Sequence, residues 1–190
     1  MVAESFEERM RRGGAGAVAE ATGFFMRDDP VHETLRAIAV TLQQHGVPYA
    51  VAGGMALVVH GYDRTTVDVD VLVTPEGLET IHKIFRDAEH GVRVEFLVSG
   101  EFPGDGRPKP VAFPDPAACS IEVGGIRYLN LNALLELKLA SGLTNPGRLK
   151  DLSDVQEMIR ARDLPLELGS ELHPYVREKY RELWQATRSG

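Results

Sequence analysis

Asp68 and Asp70, in the segment "TVDVDVLV", are the residues of this 190-residue chain whose spacing bears most directly on chemistry. Val67, Val69, Val71 and Val73 alternate with them. On an extended chain that alternation puts the valines on one face and both carboxylates on the other. Carboxylates two positions apart on a strand have alpha carbons about 6.5 to 7 Å apart, close enough to share a divalent cation. Hard oxygen donors select Mg²⁺ or Mn²⁺ over softer metals. An acidic solvent-facing strand would show the same alternation, so the pair needs a second feature.

That feature is Gly53-Gly54, which ends the apolar run "PYAVAG". At a strand-to-helix turn, glycine lets the backbone bend and approach a ligand closely, and the N–H groups opening the helix attract anions. Gly-Gly turns are common, and the chain has neither a Gly-x-Gly-x-x-Gly fingerprint nor a phosphate-loop Gly-Lys-Ser/Thr. Taken with the aspartates, however, the turn describes a site that holds a polyphosphate at one end and its metal ions at the other.

The surrounding elements are legible from breakers and periodicity. "DDPVHETLRAIAVTLQQHG" opens on an Asp-Pro signal and spaces Leu35, Ile38, Ala39 and Leu42 as one helix face, ending at Gly46. A short strand "PYAVAG", a brief helix "MALVVHG" and the strand "TVDVDVLV" follow. Thr74 and Pro75 open the helix "PEGLETIHKIFRDAE", and "VRVEFLV" is a third strand. Residues 100–118, rich in proline and glycine, exclude a continuous helix or central strand. "CSIEVGGIRYLN" reads as a hairpin about Gly124-Gly125. The rest is helical, with Gly142, Pro146 and Pro165 as boundaries. This order predicts an α/β (α+β) fold, a mixed sheet flanked by helices with a C-terminal helical segment. The expected divisions are an N-terminal arm or accessory helix over 1–27, a core over 28–130 and helices packed on it over 131–190.

Composition narrows the classes. Hydrophobic residues are 43% and charged residues 26%, ordinary for a globular protein. No apolar run reaches the roughly 18 residues a membrane span needs, and the charged N-terminus is unlike a secretory signal, so a cytoplasmic location is expected. Cys119 is the only cysteine, which excludes an internal disulfide and a cysteine-based zinc site and leaves it as a small buried hydrophobe. A net charge of -7 argues against a broad sequence-independent grip on nucleic acid. No His-x-x-x-His zinc spacing and no Gly-x-Ser-x-Gly elbow is present.

Gly53-Gly54 followed by Asp68-Val69-Asp70-Val71 resembles the polymerase-β-like nucleotidyltransferase superfamily, in which a Gly-Gly or Gly-Ser turn precedes Asp-x-Asp/Glu. "RTTVDVDVLV" further resembles the bacterial minimal nucleotidyltransferases and the AbiEii-type toxin branch. Lys138 in "LLELKLASG" and the Lys-Asp-x-x-Asp run in "LKDLSDV", residues 149–155, are similar to later elements of that branch. The likeness covers roughly residues 30–160 and implies a nucleotidyltransferase fold. It also implies a third carboxylate on a neighbouring strand, for which Glu95 is the candidate and Glu122 a rival, although an Asp is commoner there. By the same likeness Lys138 would meet nucleotide phosphates and Asp151 would orient the lysine or the nucleotide. The competing readings are a snorkelling lysine and solvated helix charges at Asp151 and Asp154.

The implied activity is transfer of a nucleoside monophosphate from an NTP to a hydroxyl. Gly53 and Gly54 would cradle the triphosphate, with Arg64, Lys138 and Asp151 as further nucleotide contacts. Asp68, Asp70 and Glu95 would bind Mg²⁺ or Mn²⁺, with Glu95 also a candidate general base. Arg64 would suit phosphate oxygens, or equally a salt bridge. His60 is expected to cap its helix. The resemblance leaves the acceptor open between a tRNA 3′ end, with an antitoxin protein as partner, and a small-molecule alcohol; neither DNA nor membrane is expected. Arg160, Arg162, Arg177, Lys179, Arg181 and Arg188 in the tail are interspersed with glutamates and read as a solvated face. The alternative is a non-catalytic nucleotide- or partner-binding module on the same fold.

Overall fold

A computed structural model describes residues 29–62, 64–84 and 92–188. The expected N-terminal arm or accessory helix over 1–27 lies outside them.

The first helix, α1 (Pro30–Gln44), starts where Asp29 accepts a hydrogen bond from the Val31 amide at 2.8 Å, with proline in the first turn. Leu35, Ile38, Ala39 and Leu42 are buried, the face that the periodicity singles out. Strand β1 (Tyr49–Val51) leads into helix α2 (Gly53–Val59), and β2 (Asp68–Val73) is followed by α3 (Pro75–Ile84) and β3 (Arg93–Val98). The glycine pair is the first turn of α2 rather than a turn before it. Thr74 caps α3, its hydroxyl accepting from the Gly77 amide at 3.0 Å. Of the helix expected over 75–89, residues 85–89 lie outside the described residues.

Strands β4 (Ser120–Val123) and β5 (Ile126–Leu129) form the hairpin, and Gly124 and Gly125 supply its two positive φ angles, 59° and 77°. Helix α4 (Leu131–Thr144), a 3₁₀ turn (Pro146–Arg148), α5 (Leu149–Arg162), a short α6 (Leu168–Glu171) and α7 (Pro174–Arg188) complete the chain. Gly142, which reads as a boundary, lies inside α4. A side chain there would come within 2.5 Å of Leu152 on α5, so this glycine sets how closely the two helices approach. Helix α6 had no signal in the sequence.

The sheet has five strands in the order β3-β2-β1-β5-β4. It is mixed: β1 is antiparallel to β2 and parallel to β5, β2 is parallel to β3, and β4 is antiparallel to β5. Strands β1 and β2 carry much of the core, with Ala50, Val51, Val69, Val71, Leu72 and Val73 at 1% exposure or less. Helices α1 and α2 pack against the sheet, and α4 packs on α2, α5 and α7. The helix α4 is apolar almost all round; Leu134, Leu135, Leu139 and Ala140 are buried, which marks it as the central element of the helical layer. Among the described residues no helix is long and apolar enough to cross a membrane.

Candidate active site

The register of β2 against β3 decides what shares a face with the aspartates. Asp68 lies beside Arg93 and Asp70 beside Glu95 in a parallel pair, so the four side chains project to one side of the sheet. They open into a cleft of about 670 Å³ together with Leu97 of the same strand face. That volume lies inside the usual range for small-molecule sites, about 300 to 1,000 Å³.

The glycines meet the same carboxylates from the other side. Gly53 has φ +56°, and a Cβ on it would lie 1.7 Å from Asp70 Oδ2. A Cβ on Gly54 would lie 2.6 Å from Thr66 Oγ1, and that hydroxyl donates to Asp68 Oδ1 at 2.7 Å. Each glycine therefore makes room for one half of the acidic pair, Gly53 directly and Gly54 through Thr66. The backbone continues the contact, the Ala52 amide donating to the Asp70 carbonyl at 2.8 Å.

Packing three acids on one face has an electrostatic consequence. Burial, followed by the charges of Asp68 and Glu95, raises the Asp70 carboxyl to about 7, against the weaker opposing pull of Lys138 and Arg148. A carboxylate pair in that state has unmet negative charge, and its donors are hard oxygens, a combination suited to a divalent cation. Glu95 is turned toward Arg93, which donates to its Oε2 at 3.0 Å. Among the described residues no group of three His, Cys, Asp or Glu side chains is gathered as a ready-made metal cage. Glu122, the rival third acid, is exposed on β4 in the register of Arg127, and it does not line the cleft.

The opposite wall comes from α4 and α5. Lys138 is only 8% exposed and donates to Asp151 Oδ1 at 2.9 Å and to Asp154 Oδ2 at 2.7 Å. Arg64 grips both oxygens of Asp154, at 2.7 and 2.9 Å. Ser141 donates to Asp151 Oδ2 at 2.7 Å. All five residues line the cleft. The lysine sits on the apolar helix α4, where an uncompensated charge would be costly, so two carboxylates on the next helix balance it. Removing one member of such a buried pair costs about 3 to 5 kcal/mol, because the other charge is left without a partner.

This wall departs from the sequence reading in emphasis. Arg64, Lys138 and Asp151 are where expected, in the cleft, but each is already bonded to protein. Asp154, read as a solvated helix charge or a minor candidate, is 4% exposed and joins Arg64 to Lys138. Its signal was present: it shares the α5 face of the buried Val155, Met158 and Ile159, and a carboxylate at a core position requires a cationic partner. Ser141, Thr66 and Arg148 also line the cleft and are not among the sequence candidates, and Lys150, also in the lining, enters that reading only as the lysine of the Lys-Asp-x-x-Asp run.

Residues outside the site follow their simpler readings. His60 is the C-cap of α2, hydrogen-bonded to the Leu129 carbonyl at 2.7 Å, and burial together with Arg162 lowers its pKa against that bond. Cys119 is buried, its thiol pushed up to about 11 by burial and by Asp115. In the tail, Arg160 pairs with Glu157, Lys179 with Glu182, and Arg188 with Asp163, the pattern of a solvated helix face.

No protein-family model matches the sequence, and no curated protein does. Over 83% of its length the chain is similar to the crystal structure of ANT(2")-Ia in complex with adenylyl-2"-tobramycin, at 17% identity, a TM-score of 0.46 and 96% coverage of that chain.

Proposed function

We propose that the protein is a metal-dependent nucleotidyltransferase that moves a nucleoside monophosphate from an NTP to a hydroxyl acceptor. One observation carries this reading: Gly53 and Gly54 each abut one of the two aspartates, directly or through Thr66, at the mouth of a single cleft. A polyphosphate lying against a side-chain-free backbone turn then comes within reach of two carboxylates suited to Mg²⁺ or Mn²⁺.

In this scheme Asp68 and Asp70 hold the cation, and Thr66 fixes the Asp68 carboxylate by its hydrogen bond. When bound, the ion supplies charge to polarise the α-phosphate and lower the pKa of the incoming hydroxyl. Glu95 completes the acidic face once it leaves Arg93, either as a further oxygen ligand or as the base that accepts the hydroxyl proton. Arg64, Lys138 and Asp151 form the wall that the nucleotide meets. The division into a core over 28–130 and a helical segment over 131–190 belongs to the same proposal, as does action in the cytoplasm. The acceptor is an RNA end, such as a tRNA 3′ end with an antitoxin as partner, or a small alcohol.

Binding of ATP, CTP, GTP and UTP with and without Mg²⁺, together with pyrophosphate release in the presence of a tRNA pool or small alcohols, tests the reading. Metal-dependent binding of at least one NTP with pyrophosphate release is expected. Absence of both would sink it. A non-catalytic nucleotide-binding module is the second reading, favoured by the engagement of Glu95 with Arg93. It predicts metal-dependent binding with no pyrophosphate release.

A further inference from the structure

Five cationic side chains line the cleft: Arg64, Arg93, Lys138, Arg148 and Lys150. Carboxylates hold three of them, Asp154 on Arg64, Asp151 and Asp154 on Lys138, and Glu95 on Arg93. Among the described residues the side chains of Arg148 and Lys150 have no such partner, neither in an ion pair nor in a hydrogen bond. Their position makes this notable. Arg148 is the N-cap of α5 and Lys150 lies in its first turn, the positive end of the helix, where cations are disfavoured and acids preferred. Both are exposed and line the cleft, and each opposes the positive end of the helix, a situation that a bound anion relieves.

We propose that Arg148 and Lys150 form a phosphate subsite that takes the β- and γ-phosphates of the nucleoside triphosphate, while Arg64 and Lys138 position the wall behind it. The inference rests on the nucleotidyltransferase reading and reassigns the phosphate contacts within it. Lys138 and Arg64 already donate to Asp151 and Asp154, so much of their charge is neutralised before a nucleotide arrives. The charge of Arg148 and Lys150 is not offset in this way. Arg148 and Lys150 line the same cleft as Asp68 and Asp70, so the subsite shares a cavity with the acidic pair rather than lying at a remote surface. A planar guanidinium and an ammonium lining one cleft match a tail of several phosphate oxygens. Two charges are too few to grip a nucleic-acid backbone, whose binding grows with each phosphate neutralised, and the chain carries a net charge of -7.

The test is equilibrium titration of the full chain in Mg²⁺ with inorganic triphosphate, each NTP, the matching nucleoside monophosphates and a short single-stranded RNA. Wild type is compared with Arg148→Ala/Lys150→Ala and with the charge-keeping Arg148→Lys/Lys150→Arg. The alanine pair should weaken triphosphate and NTP binding by about 10-fold or more, the worth of a charged hydrogen bond, and leave monophosphate binding within about 2-fold. The charge-keeping pair should recover most of the loss. Unchanged triphosphate and NTP affinity in the alanine pair would overturn the subsite, and with wild-type pyrophosphate release it would leave the enzyme reading intact. Equal loss for mono- and triphosphates, or a loss confined to the RNA, would also overturn it. Wild-type binding of inorganic triphosphate through these residues, with no binding of any NTP, would support the phosphate subsite and refute the nucleotidyltransferase reading instead.

Discussion

Gly53→Ala is the substitution that probes the site most directly, because the added methyl group would enter the space of Asp70. Two costs are separable. The backbone at φ +56° is left-handed, which costs a non-glycine residue about 1 to 2 kcal/mol. The new Cβ at 1.7 Å from Asp70 Oδ2 forces the carboxylate off its rotamer, about 0.5 to 1.5 kcal/mol more. The sum, about 1.5 to 3.5 kcal/mol, should lower the melting temperature by roughly 3 to 14 °C at this chain length. Mg²⁺-dependent NTP binding should fall far more steeply than stability, since the displaced group is a proposed ligand. A double-mutant cycle with Asp70→Ala isolates the overlap. Once the Asp70 carboxylate is gone, Gly53→Ala should cost little more than the backbone strain, giving a coupling of about 1 kcal/mol in urea denaturation without metal. Strict additivity, or a Gly53→Ala protein with wild-type stability and NTP affinity, would refute the claim that this glycine exists to seat Asp70.

Three further outcomes can be checked. Asp70 titrates near 7 in the folded chain against 3.8 for the free side chain, so the metal-free protein should lose stability as pH rises from 4 to 7, and be least stable above 7. The slope is at most about 1.4 kcal/mol per pH unit, lessened by the part of Asp70 open to the cleft. Asp70→Asn should abolish it and be the more stable protein at pH 8 in a chelator; equal slopes in urea melts would contradict this. Asp154→Asn should destabilise by about 3 kcal/mol by leaving Arg64 and Lys138 without their shared counter-charge, and a loss below about 1 kcal/mol would show the network to be incidental. Gly142→Ala should lower the melting temperature because its Cβ would lie 2.5 Å from Leu152, even though alanine favours a helix by about 1 kcal/mol; a higher melting temperature would mean that α4 and α5 adjust freely.

How far the sequence could be read follows from the range of each signal. The strand carrying Asp68 and Asp70 was legible because period-two alternation is local, and α1 because its cap and apolar spacing lie within one segment. The pairing of Asp70 with Glu95 was less so: that both lie on one face depends on the register of two strands separated by α3. Asp154 was undervalued because its partner Arg64 lies 90 residues away, although its place in the apolar stripe of α5 marked it as a core position. Gly142 was read as a stop signal, its commonest use, when its role is to admit Leu152 from the neighbouring helix. Lys150 enters the sequence reading only as the first residue of the Lys-Asp-x-x-Asp run, and Arg148 has no local signal; what distinguishes them is their position at the wrong end of a helix dipole and in a cleft where every other cation is already bound.

The bond between Arg64 and Asp154 also bears on when the cleft becomes whole. Residues 53–70 are made well before α5, so Arg64 and the two aspartates exist in the growing chain before the carboxylate that holds Arg64. Only the arrival of α5 supplies the carboxylates that steady Arg64 and Lys138. A nascent or truncated chain would thus carry the acidic pair without its opposite wall, and the completed ion network would report that synthesis has passed Asp154.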